Sequence, residues 1–267
     1  MSGPQTFDGR ARLREIGEAR RALPPVAGKG EVSDDHPQQT NQWLGRLPAA
    51  DRHALICGAR PRTLFAGDVL CEPGEWITEI LLVDAGIVSS VIPLSDGRSV
   101  EAYMVGNEGL TGTEASFSPA RSINRLTVQG QGSARAIEAE AFRRIVAERP
   151  AVRAGIADFQ WSLKAELEQS VACNAVHASE RRFAKWLLRC HDRTQGDVML
   201  LTQEYLAAML GTQRTTVNEV AQPLQKQGGI RYSRGKITIV DRRPLEAAAC
   251  ECYAAITDLR HTASLAI

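Results

Sequence analysis

The 267-residue chain has no run of about 18 apolar residues, so no segment of it reads as a membrane-spanning helix. Its first residues, Met-Ser-Gly-Pro-Gln-Thr, have no apolar core and do not read as a secretory signal. The expectation is a cytoplasmic protein that makes no use of membranes. The six cysteines contain no C-x-x-C pair and no secreted disulfide spacing, so reduced thiols are expected. Cys250-x-Cys252 has no histidine or second pair near it in the chain, and no metal site is assigned to it. The histidines (His36, His53, His177, His191, His261) all lie outside the strand-rich region, which argues against a cupin-type metal enzyme and leaves no catalytic residue to assign. Net charge is nearly absent too, at +1, and taken alone that argues against a nucleic-acid partner.

The distribution of charge reverses that inference. Residues 173–243 hold twelve basic and six acidic side chains, whereas residues 41–140 hold eight arginines, no lysine and twelve acids. One part is suited to nucleic acid and the other is not.

Within the basic part, residues 202–228 have helix-turn-helix spacing. Ala207 is small enough for two helices to cross, and Gly211 falls four residues later at the turn. Val217, Val220 and Leu224 continue one apolar stripe, matched on the first helix by Tyr205, Leu206, Met209 and Leu210. Thr202 is the N-cap candidate, with Glu204 in the first turn against the helix dipole. Gln213, Arg214, Thr215, Thr216, Asn218 and Glu219 gather where a recognition helix meets base edges. Arg pairs with guanine, Asn with adenine, and Glu accepts from cytosine. Residues 230–240 read as a hairpin with Arg234 and Lys236 at its tip, a wing suited to phosphate. Pro223 is expected to kink the second helix beyond its base-reading turns.

Elsewhere the chain divides by pattern. Residues 1–40, Arg-rich and then polar, read as a disordered arm. A short helix is expected from Trp43 to Cys57. Residues 62–140 alternate short apolar stretches with Gly turns, the pattern of an antiparallel sandwich or barrel. Residues 141–178 read as helical, with Pro150 opening a long helix. Its stripe of Val152, Ile156, Phe159, Leu163, Leu167 and Val171 is the candidate dimer seam, and packing against its own domain is the alternative for part of the length.

These parts together resemble the Crp/Fnr family of bacterial transcription regulators over roughly residues 41–255. The likeness is densest at Gly67–Glu75, Glu180–Leu188 and Leu201–Asp241. It implies an α+β chain: an N-terminal antiparallel, jelly-roll-like β-roll of cyclic-nucleotide-binding type (41–140), a connecting and dimerisation helix (141–178), a winged helix-turn-helix (179–255) and a tail (256–267). It also implies a homodimer joined through helix 150–178 on a pseudo-palindromic site in double-stranded DNA, with RNA polymerase as a further partner. The family's cyclic-nucleotide cassette is altered here. Gly112-Thr113-Glu114 sets the Glu one residue late, Arg121-Ser122 follows too soon, and Arg125 is a second phosphate candidate. These six residues mark an effector pocket in which a cyclic nucleotide is disfavoured. No cysteine precedes Cys57, so no iron–sulfur cluster is expected. The competing reading is a ligand-binding or dimerisation module that does not bind specific DNA.

Overall fold

The structure, a computed structural model, describes residues 41–201, 203–211, 214–233 and 235–264. The arm assigned to residues 1–40 lies outside them. The expected helix over 43–57 is two helices, α1 (Gln42–Arg46) and α2 (Ala49–Cys57), because the chain turns extended at Leu47 before Pro48. Asn41 fastens this start to the sheet. Its side chain accepts from the Leu44 N–H (2.8 Å) and donates to the carbonyls of Val83 (2.8 Å) and Gly109 (2.6 Å).

Six antiparallel strands follow: β1 (Arg60–Leu64), β2 (Val69–Cys71), β3 (Glu79–Pro93), β4 (Ser99–Val105), β5 (Leu110–Thr111) and β6 (Arg125–Glu138). The order is β1-β6-β3-β4, with β2 also on β6 and β5 also on β3. The long β3 and β6 slip register between Val83 and Val88. Glycines permit it: Gly86 has φ +90°, and a Cβ there would lie 2.5 Å from the Gly130 carbonyl oxygen. The bulge bends the ribbon into a roll. Inside it Leu64, Ile80, Leu82, Leu110 and Ile137 are buried with Trp43 and Leu55 from the first helices.

Helix α3 (Ala139–Glu148) closes the roll with Phe142 and Val146. Helix α4 (Pro150–Val176) follows, with proline in its first turn, where a missing N–H costs nothing. Its 27 residues span about 40 Å at about 1.5 Å per residue. Here the expected seam is corrected. Val152 and Ile156 are buried in the roll's core, and Phe159, Leu163 and Leu167 pack against it. Only Val171 of that stripe faces out. The roll's apolar rim claimed the stripe: Gly109 comes so close that a Cβ there would lie 2.1 Å from the Phe159 ring.

The C-terminal part comprises α5 (Ser179–His191), β7 (Val198–Leu200), α6 (Gln203–Leu210), α7 (Arg214–Lys226), β8 (Ile230–Ser233), β9 (Lys236–Ile239), α8 (Arg242–Ala248) and α9 (Cys252–Ser264). Strands β7-β9-β8 form one antiparallel sheet, so the expected hairpin has a third strand. Residues 256–264, read as tail, continue α9, which lies along α4. Among the described residues no helix is long and apolar enough to cross a membrane.

Candidate nucleic-acid interface

The basic part folds around α5. Phe183, Ala184, Leu187 and Leu188 are fully buried on its inner side and meet Leu206 and Leu210 of α6, then Val217, Val220, Ala221 and Leu224 of α7. This is the apolar register read from the sequence for the two helices. Gly211 takes φ +64° between them. Arg182 of α5 locks the turn: its guanidinium donates to the Leu210 carbonyl (3.1 Å) and to Asn174 Oδ1 of α4 (2.8 Å). The last turn of α6 is thereby capped by a cation, the sign a helix C-terminus favours.

Helix α7 runs unbroken through Pro223 to Lys226, and Pro223 is exposed. Its lost N–H belongs to the solvent side, away from the packed stripe. Gly228 (φ +73°) ends the helix, and the Gly229 N–H returns to the Leu224 carbonyl at 2.9 Å. Gln225 then accepts from the Tyr232 N–H (3.1 Å), so recognition helix and wing are tied by a side chain–backbone bond. At the wing tip Gly235 has φ +77° and its carbonyl accepts from the Leu201 N–H (2.6 Å), closing the wing onto the strand before α6.

Of the predicted DNA-facing residues, Asn218 and Glu219 are exposed on α7, and Lys236 is exposed at the start of β9. Arg214, Thr215 and Thr216 form the first turn of α7. Thr202, Gln213 and Arg234 lie outside the described residues. Helix α7 and the wing strands share one apolar cluster with α5.

Strands β3 and β4 of the roll dock on this domain. Ile87 of β3 and Met104 of β4 are buried in the same apolar cluster as α5, α6 and the wing. A polar chain runs through the contact. Tyr205 of α6 donates to Ser89 Oγ (2.8 Å), Ser89 is bonded to Glu101 (2.7 Å) and Gln129 (2.8 Å), and the Trp186 indole N–H donates to Glu101 (2.9 Å). Burial holds the Glu101 carboxyl above the usual carboxylate range, against the opposing pull of Ser89, Arg189, Trp186 and Lys185. Burial likewise pushes the Tyr205 phenol well up, aided by the Glu101 charge. Arg193 adds an ion pair to Glu108 (2.8 Å), and Arg189 of α5 forms a buried one with Glu166 of α4.

The predicted effector residues make local contacts within the roll. Gly112 (φ +79°) precedes a single 3₁₀ turn, Thr113–Ala115, with Thr113 buried and Glu114 exposed. Ser122 donates to the Asn124 carbonyl (2.6 Å), and Arg125 is paired with Glu72 (2.9 Å). Arg121 donates to the Gly74 carbonyl (2.6 Å) and lies over the Trp76 ring at 4.1 Å. A cavity of about 360 Å³ does open in the roll, but on the neighbouring side, lined among others by Arg62, Cys71, Glu75, Trp76, Glu79 and Thr111. Arg62, its one cation, is bonded to Glu79. None of the six predicted residues lines this cavity.

Sequence reading also missed a group at the base of the DNA-binding part, where Cys173 of α4 and the C-cap residue His177 meet Cys250 and Cys252. The signal was Cys173-x-x-x-His177, one helical turn apart, and the partner pair lay too far along the chain to be matched with it.

A sheet-built N-terminal part, a long helix and a winged helix-turn-helix make up the described chain. Residues 181–248 match the family model of the Crp-like helix-turn-helix domain. The structure is similar to that of a CRP-family transcriptional regulator from Thermus thermophilus (TM-score 0.60, 19% identity, covering 70% of this chain and 96% of that one). It is also similar to CLP, a c-di-GMP responsive global regulator of Xanthomonas campestris (0.58, 17%, 73% and 100%), and to FixK2 from Bradyrhizobium japonicum (0.56, 18%, 72% and 98%). No curated protein matches the sequence. The chain thus carries a Crp-like helix-turn-helix domain within a fold similar to that of these regulators.

Proposed function

We propose that the protein binds a pseudo-palindromic DNA site as a homodimer in the cytoplasm, with α7 reading bases, the wing contacting phosphate and RNA polymerase recruited nearby. The observation that carries this is that α7 and the wing strands pack in one apolar cluster with α5 while Asn218, Glu219 and Lys236 are left exposed. The experiment is selection from sheared genomic DNA at physiological salt. Enrichment of a two-fold-symmetric motif with half-sites about one helical turn apart is expected. Retention without sequence preference would count against the reading.

The dimer interface is placed on the outer face of α4. Ala154, Ala157, Trp161, Val171 and Ala175 are exposed there, at positions that repeat in alternating threes and fours with Lys164 and Glu168 between them. The Lys164–Glu168 pair bridges this face within one helix. Trp161, 53% exposed, is the largest apolar group on it and the anchor of the proposed contact. Replacing it with Glu should weaken dimerisation by about 2 kcal/mol or more, roughly 30-fold in dissociation constant. Sedimentation equilibrium reads this directly, and an unchanged dimer would move the interface elsewhere.

The 360 Å³ cavity in the roll is the place for an effector. Its single cation is already bonded to Glu79, and Arg125 is spent on Glu72. Those pairings support a small molecule of mixed polarity over a cyclic nucleotide, whose phosphate would meet no uncommitted positive charge in the lining.

A further inference from the structure

We propose that Cys173, His177, Cys250 and Cys252 bind one zinc ion in a closed four-ligand site that clasps the C-terminal helix to the end of α4. Cys173 lies in the last turn of α4 and His177 is the C-cap, whose N–H donates to the Cys173 carbonyl (3.0 Å) and so holds the two residues close together. Cys250 and Cys252 flank Glu251, which is exposed while both thiols are buried. The three cysteines form a buried cluster separate from both apolar cores.

Two of the six distances between ligand atoms already equal the edges of a metal tetrahedron. All four ligand atoms lie within 4.8 Å of one another. Cys173 Sγ is 3.6 Å from Cys250 Sγ, and Cys252 Sγ is 3.6 Å from His177 Nδ1. With Zn–S near 2.3 Å and Zn–N near 2.0–2.1 Å, the edges of a tetrahedral site come to about 3.5–3.8 Å. Small shifts of the remaining pairs complete it.

The surroundings suit zinc as well as the ligands do. His177 Nε2 lies 3.0 Å from the Glu251 carboxylate, which accepts its N–H and leaves the Nδ1 lone pair aimed toward the sulfurs. A carboxylate behind a ligating imidazole fixes its tautomer and raises its basicity. Three thiolates and a neutral imidazole around a dication carry one net negative charge. Lys185, nearly fully buried, donates to Cys173 Sγ at 3.1 Å and balances it. Gln169 donates to Cys252 Sγ at 3.1 Å. Ligation takes cysteine as the thiolate, so metal binding releases thiol protons to solvent.

The location gives the site its consequence. Helix α4 ends at Val176, and its C-cap His177 stands two residues before α5 begins the DNA-binding part at Ser179. Zinc there would join the end of the long helix to the segment that enters α9, fixing the attitude of the winged helix-turn-helix on α4.

The test is metal analysis of the full-length protein purified under reducing conditions, together with cobalt titration of the zinc-stripped chain. One zinc per chain is expected, and cobalt should give the intense visible bands of tetrahedral thiolate coordination. Cys250→Ser and His177→Ala should each lose most of the bound metal, while Cys57→Ser, at the exposed cysteine on α2, should keep it. Release of zinc from the unmutated protein by a thiol-specific mercurial, followed with a colorimetric chelator, gives the same answer without depending on any variant folding. A protein that binds no zinc with all thiols counted as reduced would overturn the site. So would a Cys173–Cys250 disulfide in the reduced preparation, or iron in place of zinc. Metal content is read without DNA, so the site stands or falls apart from the operator experiment.

Discussion

Glu166→Ala should lower the stability of the protein by about 3–5 kcal/mol, the usual result of stripping the partner from a buried charge. Glu166 and Arg189 have side chains only 5% and 7% exposed, and their ion pair joins α4 to α5 across the junction between the two halves. Removing the carboxylate leaves a guanidinium, which cannot shed its proton, in a space without water to solvate it. Replacing both residues with leucine should restore most of the loss, since apolar packing of similar volume often equals a buried pair. Urea unfolding of the three proteins measures this. A single-variant loss below about 1 kcal/mol, the range of a surface pair, would show that the junction is held by the apolar contact of Ile87 and Met104 instead. The same variant should alter DNA affinity if the attitude of the winged domain is set at this junction.

The helix-turn-helix was legible because its signals are local: Ala207, Gly211 and Val217 lie within one short window, and helical periodicity fixes which side each faces. The strands were legible from alternation and Gly turns. What the sequence left open was decided by contacts between distant segments. The stripe of α4 has the same spacing whether it meets a second copy or its own roll, and only the closeness of Gly109 to Phe159 distinguishes them. The effector residues were placed by a motif, but Ser122 and Arg125 spend their polar groups on Asn124 and Glu72. The described cavity is lined instead by Glu75 and Trp76, at the end of a segment that the family likeness marked without pointing to a pocket. Cys250-x-Cys252 could not be paired with Cys173 and His177 until α9 was laid along α4. In each case the missing information was a long-range pairing, which periodicity does not encode.

Arg214→Ala and Lys236→Ala should both weaken DNA binding, but in different ways, and the difference tests the roles assigned to helix and wing. Arg214 opens α7, where a guanidinium can bond two acceptors on one guanine. Its loss should cost about 1–3 kcal/mol on the selected operator, roughly 5- to 150-fold, and little on unrelated DNA. Lys236 is exposed where the wing re-enters β9, a place for phosphate rather than base. Its replacement should weaken every sequence alike and reduce the slope of log affinity against log salt by about one. Fluorescence anisotropy on operator and scrambled duplexes, each across a salt series, separates the two patterns. If Arg214→Ala costs the same on both duplexes, the first turn of α7 lies along the backbone and base reading must fall to Asn218 and Glu219, one turn deeper on the exposed face. If Lys236→Ala changes specificity instead of the salt slope, the wing enters a groove, and the three-stranded sheet that carries it becomes part of the reading head.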